Sequence, residues 1–242
     1  MADKKNRSSL LSTWPDSPTF EDPIDLLPFQ RDASVVEKGF PEAVIQPKSS
    51  AAVGEILRQA NHDRVPVYVR GAGTMYAGGA NPHAGGIVMD LSGMEQLLEI
   101  DLDRGIVVVE AGTKFVALLE ALKPLGQTVG IVPLTGPTAT IGGAVSSHAL
   151  GTGSPRHQSM GDCVAGLEIV LVDGTVVRTG SAGCSGAGFF QRYCIGPDLT
   201  GLFIGAEATL GVITAVCLWL YPLPESRETL CLGFQDPLTA SK

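Results

Sequence analysis

The sequence predicts an α+β fold of two α/β lobes, of which the second is mostly antiparallel. Three observations carry this prediction. A strand–helix–strand pattern occupies residues 43–69, strands joined by a hairpin turn dominate residues 167–221, and 30 glycines without a Gly-X-Y period are spread over 242 residues. So many glycines indicate tight turns and places where the backbone comes close to another group. A ligand is one candidate for that group.

The first lobe opens with a short strand at residues 43–45, which lies between two prolines. Ser49 or Ser50 can cap the helix that follows, because its apolar residues recur at helical spacing. Residues 65–69 return as a strand. We assign to the same lobe two further strands, at 86–91 and 106–110, and a helix at 114–122.

The second lobe has a different pattern. Residues 167–171 alternate as a strand, Asp173 and Gly174 predict a two-residue hairpin turn, and residues 175–178 pair back. Residues 211–221 form another long strand, which stops at Pro222. This order of elements predicts mostly antiparallel pairing.

The segment before the first lobe, residues 1–31, has four prolines scattered among charged side chains. Prolines in this arrangement predict an extended arm that crosses a surface rather than a regular element. The folded domain is therefore expected to cover residues 32–225.

Composition excludes several classes of protein. A formal charge of −8 argues against a nucleic-acid partner, which needs clustered Lys and Arg. Five cysteines without a C-x-x-C pair indicate neither a zinc knuckle nor a disulfide framework. The N-terminus lacks an apolar core long enough for export, and the longest apolar run, residues 211–221, is too short to span a bilayer. We expect a soluble, cytoplasmic protein with reduced thiols and no metal site.

The sharpest motif is a glycine-rich loop that directly follows the strand ending at Val69. Glycines in such a loop let successive backbone N–H groups turn toward one anion, as in phosphate and pyrophosphate sites. The candidate binding residues in this loop are Arg70, Gly71, Ala72, Gly73, Thr74, Met75, Tyr76, Gly78 and Gly79.

A nicotinamide-type Rossmann fingerprint is the alternative for this loop, because Gly71 and Gly73 supply two of its three glycines. Tyr76 occupies the position of the third. Residues 77–82 also lack the character of a helix N-terminus, which that fingerprint requires. The Rossmann interpretation is therefore poor.

A second segment, residues 133–151, is rich in glycine and small hydroxyl residues and is too apolar for a solvated linker. Its composition indicates backbone and hydroxyl groups packed against a flat ligand. Two such segments far apart in sequence favour one shared site. The candidate binding residues here are Pro133, Thr135, Gly136, Thr138, Ala139, Thr140, Gly142, Gly143, Ser146 and Ser147.

These motifs resemble the FAD-linked oxidases with a PCMH-type FAD-binding domain, in particular the glycolate oxidase and D-lactate dehydrogenase group. The resemblance covers nearly the whole chain after the arm. It is carried by residues 32–34, 41–47, 70–74, 140–143, Asp162, 166–174 and 202–214.

The resemblance implies a noncovalent FAD held between the two lobes, with its pyrophosphate on residues 70–79 and its flavin ring along residues 133–147. Gly142 and Gly143 would let the backbone approach the cofactor, and Ser146 and Ser147 would offer hydroxyls. The adenine end would be flanked by Gly211, Val212 and Ile213.

The sequence departs from the family pattern at two places. His148 stands where the family often has Asn, and His157 with Gln158 stands where many relatives have Tyr-Gly. We expect His148 to pack or to contact the cofactor rather than to catalyse. The loop from Gly71 to Tyr76 contains neither His nor Cys, which favours noncovalent FAD.

The resemblance further implies a substrate-covering cap domain that follows the FAD-binding part. Residues 226–242 look like the beginning of that cap, with a strand at 228–234 that is cut short. The catalytic base would belong to the cap, so no residue of this chain is assigned a catalytic role. An electron-acceptor protein or a separate subunit that supplies the cap is a further expected partner.

The expected reaction is oxidation of a small 2-hydroxy acid, such as D-lactate or glycolate, to the 2-oxo acid by hydride transfer to flavin. Two alternatives stay open at this point. The chain could be a noncatalytic FAD-binding subunit that passes electrons, or the same fold could oxidise another alcohol or a polyol.

Overall fold

The computed structural model describes residues 17–193 and 196–241. Twelve strands form in this part of the chain: β1 (Thr19–Phe20), β2 (Ala43–Ile45), β3 (Val67–Arg70), β4 (Ile87–Asp90), β5 (Leu97–Asp101), β6 (Ile106–Glu110), β7 (Gln127–Val129), β8 (Val132–Pro133), β9 (Gly151–Thr152), β10 (Val164–Val170), β11 (Val176–Arg178) and β12 (Val212–Pro222).

The same part of the chain forms seven α-helices, most of them short: α1 (Pro23–Leu26), α2 (Ser50–Asp63), α3 (Phe115–Leu122), α4 (Ile141–Ser146), α5 (Ser154–His157), α6 (Thr200–Phe203) and α7 (Pro237–Ala240). Five 3₁₀ turns connect them: Leu27–Phe29, Leu91–Gly93, Lys123–Leu125, Met160–Cys163 and Gly180–Gly183. No helix in the described residues has the length and apolar character needed to cross a membrane.

The first sheet has the strand order β1-β2-β4-β3. Its two parallel pairings follow from a strand–helix–strand unit: β2 and β3 both run parallel to β4, and α2 makes the crossover between β2 and β3. The predicted cap of α2 is confirmed, because the Ser49 side chain accepts a hydrogen bond from the Ala52 N–H at 3.2 Å. One face of the helix is buried in the core through Val53, Ile56 and Leu57.

The second sheet has the order β11-β10-β12-β6-β5, with β7 paired to the far end of β12, and all of its pairings are antiparallel. Its centre is β12, whose first seven residues are buried. The predicted mostly antiparallel second lobe is therefore confirmed. One continuous apolar core links both sheets with α2, α3 and α4.

The predicted placement of residues 106–110 in the first lobe is wrong. β6 has the predicted bounds, but it pairs with β12 and β5 in the antiparallel sheet. A strand's partner depends on contacts that are distant in sequence, so a strand pattern alone does not identify its sheet.

Three smaller predictions also need correction. The β10–β11 loop has three residues rather than two, because Leu171 and Thr175 are joined by a backbone hydrogen bond and Gly174 has φ +79°. The arm is not extended throughout, since β1 pairs with β2 and α1 follows it, whereas residues 1–16 lie outside the described part. The strand expected at 228–234 does not form, and those side chains are exposed.

Candidate functional site

A cavity of about 590 Å³ lies between the glycine-rich loop that follows β3 and the segment around α4. Its size is in the range of pockets that hold small molecules and cofactors. We call residues 71–80 the loop wall and residues 140–147 the helix wall. Between them the cavity is lined mostly by backbone and small side chains.

The loop wall has no regular secondary structure. Gly73 and Gly78 have φ of +66° and +84°, a region that L side chains rarely adopt. Within the described residues, none of the backbone N–H groups from Ala72 to Ala77 donates a hydrogen bond to another protein group. A run of free amides beside a cavity suits an anion that can accept several hydrogen bonds.

Arg70 supports the loop wall from behind rather than from inside the cavity. Its Nη1 donates to the Arg31 carbonyl at 3.0 Å and its Nη2 to the Pro28 carbonyl at 3.1 Å. The guanidinium also lies 5.4 Å from the centre of the Phe29 ring. Burial lowers the pKa of Arg70, while Asp90 and Asp32 oppose that shift. A Cβ on Gly73 would lie 2.2 Å from Nη2, so only glycine lets the loop pass over this side chain.

The helix wall begins at Thr140, which caps α4. Its Oγ1 accepts a hydrogen bond from the Gly143 N–H at 3.3 Å. The same oxygen would lie 2.2 Å from a Cβ on Gly71, so the two walls touch at this point. Two residues further on, a Cβ on Gly142 would lie 2.5 Å from the Cβ of Ala111. Glycine at both positions allows α4 to pack closely against its neighbours.

A third segment, residues 205–208, completes the cavity and carries no predicted role. The Gly205 N–H donates to the Val145 carbonyl and the Glu207 N–H to the Ser146 carbonyl, both at 3.1 Å. Glu207 and Ala208 have φ of +49° and +64°, although neither is glycine. The Glu207 carboxylate reaches across to the loop wall, where a Cβ on Gly79 would lie 2.7 Å from Oε2.

His148 follows the helix wall and also lines the cavity. Its backbone has φ +50°, and its Nε2 lies 2.6 Å from the Ser159 hydroxyl. Ser159 in turn donates that hydroxyl to the Asp162 carboxylate. The other departure from the family pattern, His157, does not line the cavity and stacks on Tyr221 with ring centres 4.2 Å apart.

The structure brings most of the predicted site residues together. Those that line the cavity are Gly71, Ala72, Gly73, Thr74, Met75, Tyr76, Gly79, Pro133, Thr135, Ala139, Thr140, Gly142, Gly143, Ser146, Ser147 and Ile213. Those that do not line it are Arg70, Gly78, Gly136, Thr138, Gly211 and Val212. Gly136 instead borders a second, apolar cavity of about 310 Å³ beside α3.

Several lining residues have no counterpart among the predicted ones, including Leu91, Ala111, Glu207 and Ala208. Leu91 and Ala111 each follow a buried strand directly, which is a signal that sequence reading could use. Glu207 and Ala208 lie inside a quoted family motif, but their strained backbone is visible only in the structure.

The residues present fit a dinucleotide. The free amides of the loop wall suit a pyrophosphate, and the glycine-rich helix wall leaves space beside α4 for a flat ring. No cluster of three or more metal-ligating side chains occurs among the described residues.

Known proteins agree with this fit. A family model described as an FAD binding domain matches residues 41–180. The glycolate oxidase subunit GlcD of Bacillus subtilis is 34% identical over 87% of this chain and 43% of its own length. A mitochondrial D-lactate dehydrogenase [cytochrome] of Arabidopsis thaliana is 36% identical over 80% of this chain and 33% of its own length. A mitochondrial D-2-hydroxyglutarate dehydrogenase of Bos taurus is 33% identical over 88% of this chain and 38% of its own length.

The fold has solved counterparts. A crystal structure of p-cresol methylhydroxylase with substrate bound superimposes with a TM-score of 0.81 over 93% of this chain and 45% of that one, at 20% identity. The chain thus spans about two fifths of the curated relatives it matches. Because the family model covers more than half of the sequence, the chain belongs to the FAD binding domain family, and FAD is its cofactor.

Proposed function

We propose that this chain is the FAD-binding portion of an oxidoreductase that converts a small 2-hydroxy acid, such as D-lactate or glycolate, to the 2-oxo acid. The observation that carries the proposal is the cavity between the loop wall and the helix wall, in a chain whose relatives are named for glycolate, D-lactate and D-2-hydroxyglutarate. When bound, the flavin supplies the redox chemistry by accepting a hydride equivalent from the substrate carbon.

The residues of this chain would bind and orient the cofactor. The amides of Ala72 to Ala77 would hold the pyrophosphate, and Gly142 and Gly143 would bring the backbone of α4 against the flavin ring. Backbone donors cost no side-chain entropy and are already in place, so they suit binding of an anion. We propose that FAD is held noncovalently, and acid or heat should therefore release it intact.

The cavity is partly open to solvent, and three apolar residues that line it, Tyr76, Leu134 and Leu150, expose 73%, 89% and 66% of their surface. Large apolar side chains in this position support closure of the cavity by a further part of the protein. We propose that this further part supplies the substrate carboxylate clamp and the base that takes the hydroxyl proton. Orientation and exclusion of water of this kind are worth about 7–11 kcal/mol of barrier.

The test is anaerobic titration of the FAD-loaded protein with D-lactate, glycolate and D-2-hydroxyglutarate, followed by bleaching of the flavin absorbance. L-Lactate serves as the matched control, because it has the same charge and size. We expect saturable bleaching with at least one of the three acids in the complete protein and negligible bleaching with the 242-residue chain alone.

Two results would contradict this proposal. Absence of bleaching by any 2-hydroxy acid in the complete protein would remove the substrate class. Fast, saturable bleaching by the 242-residue chain alone would place the base within it. In that case His148 and His157 would be the first residues to examine.

A further inference from the structure

The charges that line the FAD cavity are unusual for a site that receives a dinucleotide. The pyrophosphate of FAD carries negative charge, yet no lysine or arginine is among the described residues that line the cavity. Two lining residues carry an imidazole or a carboxylate group, His148 and Glu207. Glu207 adds negative charge on the side of the loop wall. Among the described lining residues, His148 alone can therefore become a cation.

The nearest arginines are committed to other partners. Arg70 donates to two carbonyl groups behind the loop wall. Arg192 forms an ion pair with Asp198 at 2.6 Å and donates to the Gly161 carbonyl at 2.6 Å. Moving either side chain into the cavity would leave a buried or half-buried acceptor without its donor, which costs about 1–3 kcal/mol.

The contacts of His148 determine which ring nitrogen carries a proton. Ser159 donates its hydroxyl hydrogen to Asp162, so its oxygen is left as an acceptor toward the ring. Nε2 of His148, 2.6 Å away, must then be the donor. The hydrogen bond from Ser159 lowers the pKa of Asp162, although desolvation opposes it, so the carboxylate stays charged and keeps this orientation. Nδ1 has no hydrogen-bond partner among the described residues.

We propose that FAD binds to this cavity together with a proton, and that His148 carries this proton on Nδ1. With Nε2 bonded to Ser159, a protonated ring has one N–H group left, on Nδ1, in a residue that lines the FAD cavity. The inference rests on FAD binding and is independent of the substrate. It also gives a reason for histidine at a position where the resembling family often has asparagine, which cannot gain charge.

The charge of the cofactor, and not the charged groups around His148, sets the sign of the effect. Asp162 lies behind the ring through Ser159, and Arg192 lies beyond the Gly161 carbonyl. Glu207 belongs to the segment that packs beside His148, and its carboxylate reaches the loop wall. These charges are present with and without FAD, so they do not change on binding. The cofactor adds negative charge, which favours the protonated ring. By linkage, FAD affinity should rise as the pH falls through the titration of His148.

The experiment measures the dissociation constant of FAD by fluorescence titration from about pH 8 to about pH 6, the range in which an ordinary histidine titrates. We expect the wild-type Kd to fall by about threefold to tenfold over this range. His148→Asn should flatten the profile to less than about a twofold change. Calorimetry in buffers of different ionisation enthalpy should show proton uptake in the wild type and not in His148→Asn.

Two variants serve as matched controls. Glu207→Gln should tighten FAD binding at every pH and keep the wild-type slope, because it removes negative charge and leaves His148 in place. His157→Asn should keep the slope because His157 lies outside the cavity. A wild-type slope in His148→Asn would overturn the proposal, and so would loss of the slope in Glu207→Gln.

A second measurement does not depend on a variant that folds. Nitrogen-15 NMR of the histidine rings should show Nε2 of His148 protonated throughout and Nδ1 gaining its proton at a higher pH when FAD is present. A neutral ring with its proton on Nδ1, or titration of His148 that FAD does not shift, would also contradict the proposal.

Discussion

The loop wall and the helix wall border the same cavity but are stabilised in different ways. In residues 72–77 the loop wall makes no backbone hydrogen bonds through its N–H groups, and Arg70 supports it from behind. The helix wall satisfies its own backbone, since Thr140 caps α4 and Gly142 packs against Ala111. The helix wall therefore satisfies its backbone hydrogen bonds without a ligand, whereas the loop wall would gain its missing hydrogen bonds from a bound ligand.

The largest effect is expected at the packed face of the helix wall. Gly142→Val should destabilise the fold by about 3 kcal/mol or more, because its side chain would meet Ala111 Cβ at 2.5 Å and the Ala111 carbonyl at 2.9 Å. Thermal unfolding followed by circular dichroism measures this. Gly233→Val is the matched control, since nothing lies within 4 Å of a Cβ there. Equal melting temperatures for the two variants would show that α4 is not held by this contact.

The next effect concerns the face of α4 that looks into the cavity. A Cβ on Gly143 would meet only the Thr140 hydroxyl, at 2.9 Å, so most of a larger side chain would extend into the cavity. Gly143→Val should weaken FAD binding by on the order of a hundredfold while keeping most of the secondary structure. Titration with FAD, with circular dichroism as the folding check, tests this. Unchanged FAD affinity would mean that the cofactor lies elsewhere.

A smaller effect is expected behind the loop wall. Arg70→Ala removes two hydrogen bonds to carbonyls and should lower stability by about 1–3 kcal/mol. Because the loop then loses its support, FAD affinity should fall by about tenfold. Arg70→Lys should be intermediate, since one ammonium group does not reproduce the planar fork. If Arg70→Ala lowers stability and leaves FAD affinity unchanged, the loop wall does not depend on its support.

The smallest effect lies in residues 205–208, which join the helix wall through backbone hydrogen bonds and of which Gly205, Glu207 and Ala208 adopt left-handed backbone. Ala208 has φ +64°, and relief of that strain by Ala208→Gly should stabilise the fold by less than about 1 kcal/mol. Chemical denaturation measures the change, and FAD affinity should stay constant. Destabilisation would show that the methyl group of Ala208 contributes more than its backbone strain costs.

The same comparison explains what sequence reading could predict. Local patterns gave the bounds of β6, the cap of α2 and both glycine-rich segments, because each depends on neighbouring residues. The sheet to which β6 belongs depends on its pairing with β12, more than a hundred residues later, and was predicted wrongly. Likewise, the motif around Arg70 marked the site, but only tertiary contacts show that its side chain points away from the cavity.

The residues that line the cavity also differ in whether the sequence could predict them. Glycines indicate places where the backbone comes close to another group, and most of the glycines predicted to bind the cofactor line the cavity. Glu207 was not predicted, because its position across from Gly79 results from the path of residues 205–208 along α4. No local propensity encodes that path. Once the structure is known, a non-glycine residue with positive φ is a more informative signal than a local sequence pattern.

Titration of the protein with FAD and with FMN under identical conditions tests whether the two walls together hold a dinucleotide. FAD should bind with one-to-one stoichiometry and at least about tenfold more tightly than FMN, because FMN lacks the pyrophosphate and adenosine that would lie on the loop wall. Equal affinity for FAD and FMN, or a folded protein that binds no FAD in excess cofactor, would contradict the account.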